Sequence, residues 1–155
     1  MSIAQVASWT IPSSLKDEHA QLHAELEAAT RAPGLVGAAA RRVAATLHPH
    51  FVREEEIALP PLALLEPLSQ APPTPDMRAI LPLTDALKQE LPTMLQEHRL
   101  IGEALDELAR VAREEEAPAY AELSAKIRAH ALAEEQILYP AAILVGEQIR
   151  ASRRA

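Results

Sequence analysis

Apolar residues recur along the chain at alternating steps of three and four, and period-two alternation is nearly absent. One stripe runs Leu15, His19, Leu22, Leu26. A second runs Val36, Ala40, Val43, Leu47, His50, Glu54, Ile57. A third runs Leu87, Leu91, Met94, His98, Ile101, Leu105, Leu108, and the last runs Tyr120, Leu123, Ile127, His130, Glu134, Ile137, Ala141, Leu144. Each stripe is a helix face that requires burial, and four of them predict an all-α, antiparallel up-down-up-down four-helix bundle. The breaks agree with that division. Ser13 or Ser14 is placed to cap the first helix, Pro33-Gly34 to end it and Pro60-Pro61 to end or kink the second. Six prolines between Pro60 and Pro75 predict one irregular connector. The third helix is expected to run to about Arg113, with Pro82 and Pro92 as starts or kinks. Glu114 to Glu116 read as a turn before Pro118 opens the fourth, which Pro140 kinks or divides. A chain of 155 residues organised in this way reads as a single domain, with the bundle over about 13–140, a short N-terminal arm and a C-terminal helical tail.

Six residues within these stripes do not belong in an apolar core: His19, His50, Glu54, His98, His130 and Glu134. Burying an unpaired carboxylate or imidazole costs on the order of several kcal/mol, so six of them spread over four helices require a common partner. Residues equidistant from a turn lie at one level of an antiparallel pair. The midpoint between His19 and the His50/Glu54 pair falls at about residue 35, beside Pro33-Gly34. That between the second helix's pair and His98 falls at about 75, in the Pro-rich connector, and that between His98 and His130/Glu134 at about 115, in the Glu-rich turn. All six are therefore expected at one level. The chain also repeats: the segment from His50 to Pro60 (HFVREEEIALP) matches that from His130 to Pro140 (HALAEEQILYP) at an offset of 80. Glu18-His19 matches Glu97-His98 at an offset of 79, which implies a pseudo-two-fold site.

Composition restricts what that site can be. The chain has no cysteine, which excludes disulfides, thiolate metal sites and cysteine nucleophiles. Residues i and i+4 of a helix stand about 6 Å apart along the axis and about 40° apart around it, so His-x-x-x-Glu offers an imidazole and a carboxylate to one metal cluster. Two such helices supply two bridging carboxylates and two His, and the two single His complete a pair of nitrogen ligands for each metal. Imidazole with carboxylate suits iron or manganese. A third His-x-x-x-Glu, His23/Glu27, lacks the Glu-x-Ile-x-x-Pro context of the other two. His48 is expected to face solvent, two residues from His50. Glu18, Glu97, Glu55 and Glu135 read as solvated charge, with the orienting of a neighbouring helix's His as the alternative. Tyr139 reads as core packing, with packing near the site as the alternative. A net charge of −7 disfavours nucleic acid and anionic membranes as partners. Without a basic leader over Met1–Thr10 or a long apolar run, the expected location is the cytoplasm.

The pattern His, His-x-x-x-Glu, His, His-x-x-x-Glu resembles the hemerythrin-like, or HHE cation-binding, family over about residues 13 to 140. The resemblance implies a non-haem di-iron centre, oxo- or hydroxo-bridged, with Glu54 and Glu134 bridging, and a small diatomic molecule or peroxide as its ligand. Oxygen-carrying hemerythrins place two His four apart on the third helix; here Met94 and Gly102 flank His98 at that spacing. Their last motif ends in Asp at a five-residue step, where this chain has Glu134 at four. Both departures point toward the broader bacterial HHE proteins, linked to oxygen sensing, nitric oxide or peroxide handling, and iron–sulfur repair. His23, one turn beyond His19, is a candidate for the missing fifth His. Reversible oxygen binding, redox turnover and a purely structural or iron-donating role all remain open at this level.

Overall fold

The computed structural model describes residues 9–152. Residues 1–8, most of the stretch read for a leader, and residues 153–155 lie outside it. Helix α1 spans Ser13–Thr30 and α2 Gly34–Ile57. A 3-10 turn at Pro60–Leu64, a short helix α3 at Leu65–Gln70 and a second 3-10 turn at Pro75–Ile80 follow. The long α4 covers Leu81–Glu114, and α5 covers Pro118–Ala133. A π-helical turn at Glu134–Leu138 leads without a break into α6, Tyr139–Ala151. The bundle consists of α1, α2, α4 and the α5–α6 run, with no strand among the described residues. None of these helices is long and apolar enough to cross a membrane.

The corners show why the chain turns where it does. Neither Ser13 nor Ser14 caps α1. Pro12 holds the cap position, and its carbonyl accepts from the amides of Leu15 and Lys16 at 3.0 and 3.1 Å, so backbone geometry starts the helix. Gly34 opens α2 at φ +69°, a left-handed conformation that glycine adopts without a Cβ clash. Arg41 returns from α2 to donate to the Thr30 carbonyl at the end of α1, at 2.9 Å. Glu116 takes φ 55° in the turn before α5.

The connector expected to be irregular is mostly ordered into short helical turns. Three of its prolines, Pro60, Pro61 and Pro75, sit at the first turns of 3-10 segments, where a missing N–H costs nothing, and Pro60, Pro61, Leu62 and Leu64 are buried. Pro92 lies on an exposed face inside the continuous α4 and neither starts nor ends it.

One apolar layer, built around Leu26, Val43, Leu47, Leu105, Leu108 and Ile127, fills the bundle on the side of the α1–α2 turn. A second, around Ile57, Leu59, Leu87, Met94, Tyr139 and Ala142, fills the opposite end. The polar residues of the stripes lie between the two layers.

Candidate metal centre

His19, His50, Glu54, His98, His130 and Glu134 are all buried, each at 6% exposure or less. They form two groups of four that share both carboxylates: His19 and His130 with Glu54 and Glu134, and His50 and His98 with the same two. In each group the candidate ligand atoms lie within 4.8 Å of one another. Each carboxylate turns one oxygen toward each histidine pair. Glu54 Oε1 is 3.1 Å from His50 Nε2 and 3.9 Å from His98 Nε2, while its Oε2 is 3.6 Å from His19 Nε2. Glu134 Oε1 is 3.3 Å from His19 Nε2 and 2.6 Å from His130 Nε2, while its Oε2 is 3.2 Å from His98 Nε2.

All four Nε2 atoms point inward, and the Nδ1 atoms meet an outer set of carboxylates. His50 Nδ1 pairs with Glu97 at 2.5 Å, His98 Nδ1 with Glu135 at 2.8 Å and His130 Nδ1 with Glu18 at 2.8 Å. His19 Nδ1 lies 3.4 Å from Glu55 and makes no hydrogen bond. The set closes on itself around the bundle, since every histidine is met by a carboxylate from the next helix in the circuit. These are the four Glu that read as solvated charge in the sequence. They are half-exposed, yet Glu97, Glu135 and Glu18 also reach inward to orient a ring, Glu55 only approaches one, and their recurrence beside the ligand motif in both repeats is the signal for it.

Several buried polar atoms are left without hydrogen-bond partners here. Glu54 Oε2 has none, and His130 Nε2, although close to Glu134, makes no hydrogen bond. Buried lone pairs converging without donors fit a cation between them. Electrostatics agree. Burial alone would lower the histidines, but Glu134, Glu54 and Glu135 together push His98 up to about 10. Glu134 and Glu18 push His130 up to about 9, and Glu54 and Glu97 raise His50. Glu134, despite its burial, is held well below the usual carboxylate range by His130, His19 and His98. Positive charge is demanded at this level, and protons on imidazole supply it where no cation does.

Tyr139 contributes a further oxygen. Its hydroxyl donates to Glu54 Oε1 and lies 3.3 Å from His50 Nε2 and 3.2 Å from His98 Nε2. Burial and the charges of Glu54 and Glu134 push this hydroxyl up, so it stays a phenol at neutral pH. The corresponding residue of the first repeat is Leu59, which has no polar atom to offer. The other histidine pair instead carries Phe51, stacked on His19 with ring centroids 4.1 Å apart.

His23 is not brought to the cluster. It lies one turn beyond His19, past the Phe51 ring, and its own ring faces that of the exposed His48 at 4.8 Å. It belongs to neither group of candidate ligands.

An up-down four-helix bundle with four inward histidines and two shared carboxylates at one level defines a cation-binding protein of the helical-bundle class. Residues 10–142 match the Hemerythrin HHE cation binding domain, and the chain belongs to that family. No curated protein and no solved structure matches the chain.

Proposed function

We propose that the cluster is a carboxylate-bridged di-iron centre that binds dioxygen or a related small molecule, nitric oxide or peroxide. In this reading His19 and His130 hold one ion, His50 and His98 hold the other, and Glu54 and Glu134 bridge. The observation that carries it is the division of labour within each carboxylate, one oxygen facing each histidine pair. Two nitrogens and shared carboxylate oxygens suit iron, with manganese as the other metal that the same donors would accept. Bound there, iron supplies one-electron redox chemistry and a position for an exogenous ligand. The chain's own residues fix the ring orientations through Glu18, Glu97 and Glu135 and exclude water through the two apolar layers.

Tyr139 favours a second reading, turnover of peroxide or nitric oxide. A buried phenol in contact with Glu54 and two candidate ligand histidines is a proton source inside the cluster.

Metal analysis with optical spectra of the oxidised, reduced and oxygen-exposed protein tests the proposal. Two irons per chain and a reversible spectral change with oxygen are expected, and His130→Ala should lower the metal content. Zero or one iron per wild-type chain would break the symmetric assignment. Consumption of peroxide or nitric oxide above that of free iron would move the weight to turnover.

A further inference from the structure

The internal repeat generates two related clefts. The first lies between α1 and α2, encloses 170 Å³ and has Phe51 as its floor; none of the six cluster residues lines it. The second lies between α4 and α5 and encloses 540 Å³; His98 and its partner Glu135 form part of its wall. The repeat relates Leu26 to Leu105, Glu27 to Asp106 and His48 to Arg128, so the side walls correspond. Two positions differ in size: Phe51 becomes Ala131, and His23 becomes Gly102. The ring that covers His19 in the first cleft thus has no counterpart over His98 in the second. The exposures follow, 2% for His19 against 6% for His98.

Resting on the di-iron reading, we propose that the α4–α5 cleft is the entry path by which a small neutral molecule reaches the cluster, kept open by Ala131, while Phe51 closes the equivalent path between α1 and α2. The wall of the open cleft is braced by Arg128, which donates to the Gly102 carbonyl at 3.0 Å and to Asp106 at 2.5 Å. The counterpart of Gly102, His23, faces His48 and not the cluster, whereas the counterpart of Ala131, Phe51, stacks directly on His19, so the missing ring at 131 is what leaves His98 uncovered. Glu103, Asp106 and Glu135 outnumber Arg99 and Arg128 among the lining charges, which favours a neutral visitor over an anion.

The test exchanges the two floors, with Ala131→Phe and Phe51→Ala. In metal-free protein, diethyl pyrocarbonate labelling mapped by mass spectrometry compares each histidine with itself between wild type and variant, so that the protonation of each ring cancels and access alone is read. Ala131→Phe should slow labelling of His98 several-fold and leave His19 unchanged, and Phe51→Ala should speed His19 selectively over His50. Ala131→Leu serves the same purpose if the phenylalanine variant does not fold. In iron-loaded protein, the association rate of nitric oxide should fall several-fold with Ala131→Phe. Unchanged His98 labelling and unchanged nitric oxide association would overturn the entry path. So would slowing by bulk at Ala129 instead, which would place the route in the 330 Å³ groove between α1 and α5 that meets His130. Failure to bind iron would sink the di-iron reading alone, because the labelling comparison stands without metal.

Discussion

Tyr139 shows how one hydroxyl can depend on what fills the cluster. It donates to Glu54 Oε1 from a fully buried position, and a hydrogen bond to a charged acceptor contributes about 1.5–3 kcal/mol. Tyr139→Phe removes that donor and keeps the ring packing. Metal-free protein should then lose about 1–3 kcal/mol, while metal-loaded protein should lose less, because the cation takes over the carboxylate's demand for positive charge. Urea denaturation of both forms measures the difference; equal losses would mean that the hydroxyl supports Glu54 whether or not metal is bound. At this scale the sequence is legible where a residue violates its own helix face. His19, His50, Glu54, His98, His130 and Glu134 stand out because each interrupts an apolar stripe. Tyr139 interrupts nothing, since an aromatic residue suits a core, and its role depends on a hydroxyl direction that no spacing encodes. The outer carboxylates escape for the opposite reason. Glu on a helix shoulder is ordinary, and the histidine that each one meets lies on another helix.

Among the elements, the π turn at Glu134–Leu138 changes which residues form the core. One extra residue in a helical turn rotates everything beyond it by about 100°. The stripe read through Ile127, His130 and Glu134 continues regularly to Ile137, Ala141 and Leu144, yet Ile137 and Leu144 are 62% and 65% exposed. The buried face beyond the turn is Tyr139, Ala142, Val145 and Ile149, advanced by the inserted residue. The first repeat carries the same local device: the Leu59 amide donates to the Glu54 carbonyl at 3.0 Å, five residues back, as the Tyr139 amide does to the Glu134 carbonyl. Both widened turns follow a shared carboxylate and precede a proline, Pro60 or Pro140, that has no amide to continue the α-helical ladder. A fixed period cannot anticipate an inserted residue, so the stripe fails from this point onward while the helix itself is read correctly. Leu144→Lys should accordingly change stability by no more than about 0.5 kcal/mol. Ile149→Ala, in the shifted face, should cost about 2–5 kcal/mol. Thermal or urea denaturation of the pair checks the register, and a large loss in Leu144→Lys would contradict it.

Across the whole molecule, four helices contribute to one charged layer between two apolar ones, and this arrangement was the most legible part of the sequence. Turn positions and stripe interruptions constrain each other through the antiparallel geometry, so three midpoints sufficed to place six residues at one level. The same layer ties global stability to protons. In the metal-free protein, Glu134, Glu54 and the outer carboxylates hold His98 at about 10 and His130 at about 9, above the ordinary value of 6.5, and also raise His50. Between about pH 6.5 and about pH 10 the native chain therefore binds more protons than the unfolded one, and stability must fall as pH rises. The contribution is complete below the unfolded value and is lost as the folded groups titrate. A bound cation replaces those protons, so metal uptake releases them and strengthens with pH. Urea midpoints of metal-free protein should decline from about pH 6.5 to about pH 10, and saturating ferrous or manganous ion should flatten the decline. A metal-free protein whose stability stayed constant or rose over that window would show that its buried histidines are neutral, and that something other than protons balances the two carboxylates at the centre of the bundle.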